Sequence, residues 1–151
     1  MKIILVGGGK VGTALARQLS EEGHSVTVVD TNKSRVEHIG ESYDVMSILG
    51  NGSSITTLSE AGVEEADVFI AVTGSDELNL LCCLIGKKLG AKTISIGVFA
   101  CNSPALNCYK AAGFVPVGKS EPYNFHGEIW ECVEMKTLRK PEMILFDYGR
   151  T

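Results

Sequence analysis

Three consecutive glycines, Gly7-Gly8-Gly9, stand between a short apolar stretch and a helical pattern, and they constrain this chain more than any other feature. Lys2-Ile3-Ile4-Leu5-Val6 reads as a buried strand. Val11, Ala14, Leu15 and Leu19 then recur at helical spacing. A second apolar run, Val26 to Val29, ends in Asp30. The order strand, glycine turn, helix, strand, acid turns a common spacing, Gly7-x-Gly9-x-x-Gly12, into a specific signature for binding phosphates.

The reason lies in the backbone. Gly7 permits a tight turn. Gly9 lacks a Cβ, so a pyrophosphate can approach the main chain, and Gly12 lets the helix lie close to the strand. The first N–H groups of a helix have no partners within it, and the helix dipole places partial positive charge there. A diphosphate satisfies both, with about 1 kcal/mol from the dipole. Asp30 is placed to accept hydrogen bonds from a ribose diol, and its charge disfavours a 2′-phosphate. NAD(H) or an adenine nucleotide (AMP, ADP or ATP) is therefore expected rather than NADP(H). A Rossmann-like, doubly wound α/β sheet is the expected fold.

At 151 residues, 44% hydrophobic and 21% charged, the chain suits a single globular domain with a sizeable core. A net charge of -4 gives no support for a nucleic-acid partner. No apolar run reaches membrane-spanning length and Met1 leads straight into a strand, so neither a signal peptide nor direct membrane insertion is expected. Cys82, Cys83, Cys101, Cys108 and Cys132 form no C-x-x-C pair, which points to reduced thiols in a cytoplasmic protein. No His/Cys cluster has metal-site spacing, and no catalytic set stands out around His24 or His38.

Further along, Thr31 to Ser34 reads as a turn and cap before a short helix ending near Gly40. Lys33 and Arg35 fall beside the expected ribose site; a solvated helix face explains each equally well. Tyr43 to Leu49 reads as a third strand, Ser54 to Ala61 as a short helix stopped by Gly62, and Asp67 to Val72 as a fourth strand. Asn51 and Thr73-Gly74-Ser75 then lie at the carboxyl edge of the sheet, where ligands bind in such folds. Asp76 is the expected cap of a helix to about Leu89 that is apolar nearly all round. Either a partner subunit or deep burial within the chain accounts for that excess.

Residues 1–92 closely resemble the nucleotide-binding domain of Trk-type potassium-uptake regulatory proteins, also called KTN or the N-terminal half of RCK domains. The resemblance rests on Val6-Gly7-Gly8-Gly9-Lys10-Val11-Gly12, Asp30 with Arg35, Gly50-Asn51-Gly52, and Ala71-Val72-Thr73-Gly74-Ser75-Asp76-Glu77-Leu78-Asn79. It implies cofactor roles for Gly7, Gly9, Lys10, Val11, Gly12, Asp30, Arg35, Asn51, Thr73 and Asn79. It also implies a homodimer and a membrane-bound potassium transporter as partner.

From Thr93 the pattern changes. Thr93 to Val98 serves as a fifth strand. Ser103 reads as a cap with Pro104 at the first helical position, Gly113 stops that helix, and Phe114 to Val117 begins another strand, on which Pro116 suits a sheet edge. Asn102-x-x-Ala105-x-x-x-Tyr109-x-x-x-Gly113-Phe114 and the stretch Gly127 to Met135 resemble the C-terminal half of GNAT acetyltransferases. That resemblance implies a coenzyme A contact at Asn102 and a proton donor at Tyr109. It also implies that the strand near Phe114 runs parallel to the fifth, with the strand near Ile129 to Met135 antiparallel between them. The glycine-rich CoA loop of that family is missing, so acetyl-CoA is not the expected ligand. Lys119 to Gly127 reads as a hairpin connection containing His126, and residues 138–151, with Met143-Ile144-Leu145-Phe146, match no recognised pattern.

The expected architecture is thus one three-layer, mostly parallel sheet in order 3-2-1-4-5-7-6, with strand 7 antiparallel, formed by a Trk-like part (1–92), a GNAT-like part (93–137) and a tail (138–151). The expected function is a non-catalytic regulatory module that binds NAD(H) or an adenine nucleotide, with a recombined or engineered chimera joined near residues 90–98 as its expected origin. A GNAT-type N-acetyltransferase is the alternative.

Overall fold

The computed structural model describes residues 1–119, 123–125 and 128–137. Nine strands and five α-helices alternate through it: β1 (Lys2–Val6), α1 (Lys10–Glu21), β2 (Ser25–Asp30), α2 (Lys33–Ser42), β3 (Met46–Leu49), α3 (Ile55–Glu60), β4 (Val68–Ala71), α4 (Asp76–Leu89), β5 (Thr93–Phe99), α5 (Ser103–Ala111), β6 (Phe114–Lys119), β7 (Tyr123–Phe125), β8 (Glu128–Trp130) and β9 (Cys132–Thr137). Seven strands form one sheet in the order β3-β2-β1-β4-β5-β9-β6, and β7 pairs with β8 as a separate hairpin.

The first five strands are parallel, with Ile4 level with Thr27 on one side and Phe69 on the other. The β9 strand runs antiparallel to both neighbours, so β6 lies parallel to β5 at the sheet edge. This is the predicted order, with β9 as its seventh strand; the last strand is shifted to Cys132–Thr137 because Glu128–Trp130 pairs with β7 instead. Pro116 does sit on the edge strand, next to a register shift between Pro116 and Gly118.

Side-chain alternation divides the core into two. Ile4, Val6, Phe69, Ala71, Ile94, Ile96, Val98 and Met135 face α3, α4 and α5, through Leu58, Cys82, Cys83, Ala105 and Tyr109. Leu5, Val26 and Val28 face α1 and α2, through Ala16 and Ile39. Parallel strands buried on both faces need continuous apolar runs, which is why Ile3 to Val6 reads as it does. On α4, Cys82 and Cys83 are buried and Leu78, Leu80, Ile85 and Leu89 pack against the first core, so intrachain burial accounts for most of its apolar surface. Leu81 and Leu84 remain 47% and 44% exposed.

Several boundaries differ from the expected ones. Asn32, within the stretch read as turn and cap, caps α2 by accepting from the Arg35 N–H, so the helix begins at Lys33 and runs past Gly40 to Ser42. Ser75, not Asp76, caps α4 by accepting from the Leu78 N–H, and Asn102, not Ser103, caps α5 by accepting from the Ala105 N–H. The third strand begins at Met46 rather than Tyr43, because Tyr43 closes α2 by donating its N–H to the Ile39 carbonyl. Gly62 (φ +79°) ends α3 as expected and leads into a short 3-10 turn, Val63–Glu65. His126 and residues 138–151 lie outside the described residues.

Candidate functional site

The strand order reverses direction between β1 and β4, and the loops that leave their carboxyl ends part there. The glycine loop forms one wall. Gly7 adopts φ +111°, and a Cβ there would stand 2.7 Å from the Val72 carbonyl oxygen. At Gly12 a Cβ would stand 1.7 Å from the Gly7 carbonyl oxygen, so the first turn of α1 lies directly on the loop. Around Gly9, by contrast, nothing lies within 4 Å of where a Cβ would be. Two glycines of the motif are therefore required by the protein's own packing, and the third faces open space.

The helix that begins at Gly9 is also set apart chemically. Gly9 offers α1 no side-chain cap, and no acid stands in its first turn. At the other wall, α4 is capped by Ser75 and carries Asp76 and Glu77 in its first turn. The positive end of α4 is thus compensated by its own residues, while that of α1 suits an external anion.

Asp30 ends β2 beneath this loop. Its Oδ2 accepts from the Gly8 N–H at 2.7 Å, its Oδ1 accepts from the Asn32 N–H at 2.7 Å, and Arg35 Nη1 lies 3.7 Å away. The carboxylate therefore braces the glycine loop against α2, a role its position in the sequence did not reveal. An ionised carboxylate accepts about four hydrogen bonds, so capacity remains for a diol.

The other expected residues fall into distinct environments. Asn79, 2% exposed, accepts from the Thr73 N–H and hydroxyl and donates to the Thr73 carbonyl. Both ends of its amide shape the turn after β4. Asn51 accepts from the Ser53 N–H and hydroxyl, which holds the turn after β3. Lys33 pairs with Glu37 on an exposed face of α2. Val11 lies half-buried in the first turn of α1.

A cavity of about 470 Å³ opens from the glycine loop down the groove between α1 and α2. Gly9, Lys10 and Arg35 line it, as expected; Arg17, His38 and Tyr43 line it too. The sequence signal for these was present as a stripe at positions 10, 13, 14 and 17 of α1, facing 35, 38 and 39 of α2. Gly7, Val11, Gly12, Asp30, Asn51, Thr73 and Asn79 do not border this cavity.

Asn102 and Tyr109 meet Asp76 instead of an open acyl-donor site. Asn102 Nδ2 donates to the Asp76 carboxylate, and the Tyr109 hydroxyl donates to the Asp76 carbonyl at 3.1 Å. Tyr109 is 1% exposed, and burial, with the Asp76 charge beside it, pushes its phenol well above the usual value. This pair ties α5 to the start of α4. Nor are the thiols of α4 nucleophiles: burial pushes Cys82 up to about 11 and Cys83 well above its ordinary value. Among the described residues, no group of three His, Cys, Asp or Glu side chains is placed to hold a metal.

Comparison with known proteins fits this geometry. The TrkA-N domain family model matches residues 3–114, across the 90–98 stretch where two half-families were expected to join and through Asn102 and Tyr109. The Trk system potassium uptake protein TrkA homolog of Archaeoglobus fulgidus is 46% identical over 98 residues, covering 65% of this chain and 22% of that protein. The chain thus spans about a fifth of that relative's length. A GsuK channel bound to NAD is 26% identical with a TM-score of 0.55, over 62% of this chain and 17% of the channel chain. A chain of the fibrillarin/Nop5p complex aligns over 89% of this chain and 71% of its own, with a TM-score of 0.62 and 12% identity, a likeness of fold alone. Matched from β1 through the start of β6, this chain belongs to the TrkA-N domain family.

Proposed function

We propose that this chain is a nucleotide-binding regulatory module of a potassium-transport system, with NAD(H) or an adenine nucleotide as its ligand and no chemistry of its own. The observation that carries the reading is the uncapped amino end of α1 at a glycine whose missing Cβ leaves open space, set at the point where the strand order reverses. The diphosphate lies on the N–H groups of that turn, and the ribose diol lies on the remaining lone pairs of Asp30. Thr73 and Asn79 hold the opposing wall in shape, while Lys10 and Arg35 supply charge beside the phosphates. The TrkA-N match and the likeness to a channel that binds NAD support this reading.

The same reading makes the module a single domain over residues 1–151, cytoplasmic, homodimeric, and seated on a membrane-bound potassium transporter. Among the described residues no helix is long and apolar enough to cross a membrane. The acetyltransferase alternative and the chimeric origin find no support in the comparisons, and the Tyr109 hydroxyl is buried against Asp76.

Thermal unfolding with NADH, AMP and acetyl-CoA tests the proposal. A ligand that binds only the folded state, at about a hundred times its Kd, adds about 2.7 kcal/mol. For a domain of this size that raises Tm by roughly 5–10 °C. NADH or AMP should produce the shift, Asp30→Ala should reduce it, and acetyl-CoA should give none. Silence toward both NADH and AMP, or a saturable shift with acetyl-CoA alone, overturns the reading.

A further inference from the structure

The groove between α1 and α2 reverses the charge of the molecule around it. The chain carries a net charge of -4, yet Lys10, Arg17 and Arg35 border this cavity and no carboxylate lines it. Arg17 makes no ion pair among the described residues, although Glu21 follows it on the same helix and Glu22 is that helix's C-cap. Ala14 and Ile39 contribute an apolar surface and Tyr43 an aromatic one. A volume of about 470 Å³ fits a small molecule and not a nucleic acid or a peptide helix.

The two cationic ends of the groove are separated along α1. Lys10 stands in its first turn and Arg17 seven residues later, about 10 Å down the helix axis. A diphosphate on the glycine loop therefore leaves the Arg17 end uncontacted. We propose that the α1–α2 groove is a second anion-binding site, taking a phosphorylated small molecule whose phosphate pairs with Arg17 and whose body lies against Ala14, Ile39 and Tyr43. The guanidinium fork matches the geometry of a phosphate and can donate two parallel hydrogen bonds to it. The site shares Gly9, Lys10 and Arg35 with the nucleotide crevice, but its defining residue, Arg17, belongs to the groove alone.

Titration calorimetry with inorganic pyrophosphate at fixed ionic strength tests this on the whole chain. Wild type should bind saturably. Arg17→Gln, a change at an exposed position, should weaken the groove event roughly ten- to hundredfold while the glycine-loop event remains. Arg17→Lys should recover part of the loss, and melting curves establish that both variants are folded. Gly9→Val identifies the competing location: if pyrophosphate sits only on the glycine loop, Gly9→Val abolishes binding while Arg17→Gln binds as wild type does, and the proposal fails. It fails equally if wild type shows no saturable binding at millimolar pyrophosphate. NADH titrated into wild type reads the crevice separately, so either site can fail without the other.

Discussion

Replacing Gly12 with alanine would place a Cβ 1.7 Å from the Gly7 carbonyl oxygen, whereas a Cβ at Gly9 would meet nothing within 4 Å. The two positions therefore separate folding from binding within one motif. At Gly12 the obstacle is backbone, in a loop that is itself pressed against Val72, so relief requires α1 to move off β1 by more than about 1 Å. Overpacking of this kind costs about 1–3 kcal/mol, and an unyielding backbone neighbour puts Gly12→Ala at about 3. A domain of this size should then melt roughly 6–12 °C lower. Gly9→Val behaves differently. Loss of the glycine preference at the cap costs about 1 kcal/mol. The stiffer unfolded chain offsets that by about 0.4–1 kcal/mol, so Tm should stay within roughly 3 °C of wild type. Its NADH affinity should nevertheless fall at least about tenfold, because the valine occupies the approach to the α1 amides. Differential scanning calorimetry and an NADH fluorescence titration on the same samples give both numbers. NADH bound within twofold of wild type by Gly9→Val would show that no ligand approaches there. A wild-type melting curve for Gly12→Ala would refute the close packing of α1 on the loop.

Asn79→Ala removes three hydrogen bonds to Thr73 at a buried position, so it should cost about 2 kcal/mol or more and lower the urea midpoint at unchanged m-value; a cost under about 0.5 kcal/mol would mean the turn after β4 holds without it. Asp67 is held below the usual carboxylate range first by the Lys92 ammonium at 2.6 Å and then by the Lys2 N–H. Because its folded pKa lies below the unfolded one, the stability it contributes is present above about pH 4 and is lost as pH falls through the lowered value. Asp67→Asn should therefore melt below wild type near neutrality and converge with it at low pH. A gap that persists unchanged to pH 2 would place the effect elsewhere.

Much of the sheet was legible because each signal was a period or a punctuation mark. Ile3 to Val6 and Val26 to Val29 had to be strands buried on both faces, and Gly62 and Gly113, both at positive φ, marked ends. Even the antiparallel insertion of β9 followed from the resemblance of the C-terminal segment. What escaped were the caps, and for a physical reason. Thr31-Asn32-Lys33-Ser34, Ser75-Asp76 and Asn102-Ser103 each place two or more competent oxygens side by side, and which one turns inward is settled by contacts far away in sequence. Asp76 does not cap α4 because Asn102 and Tyr109, 26 and 33 residues on, engage its carboxylate and carbonyl.

The same limit governs the site. Sequence placed Asp30, Asn51 and Thr73 at the carboxyl edge of the sheet, and the family resemblance added Asn79, but neither records how much of a side chain's hydrogen-bonding capacity the protein has already used. Asn79 has used both ends of its amide on Thr73, and Asn51 accepts twice from Ser53, so these residues shape walls. Asp30 has used two of about four lone pairs, on Gly8 and Asn32, so it both braces the loop and can still receive a sugar. Glycines carry the complementary information, since a missing Cβ is a statement about the space beside it. Where a neighbouring carbonyl fills that space, as at Gly7 and Gly12, the glycine belongs to the fold. Where the space is empty and a bare helix end borders it, as at Gly9, the glycine leaves room for a ligand.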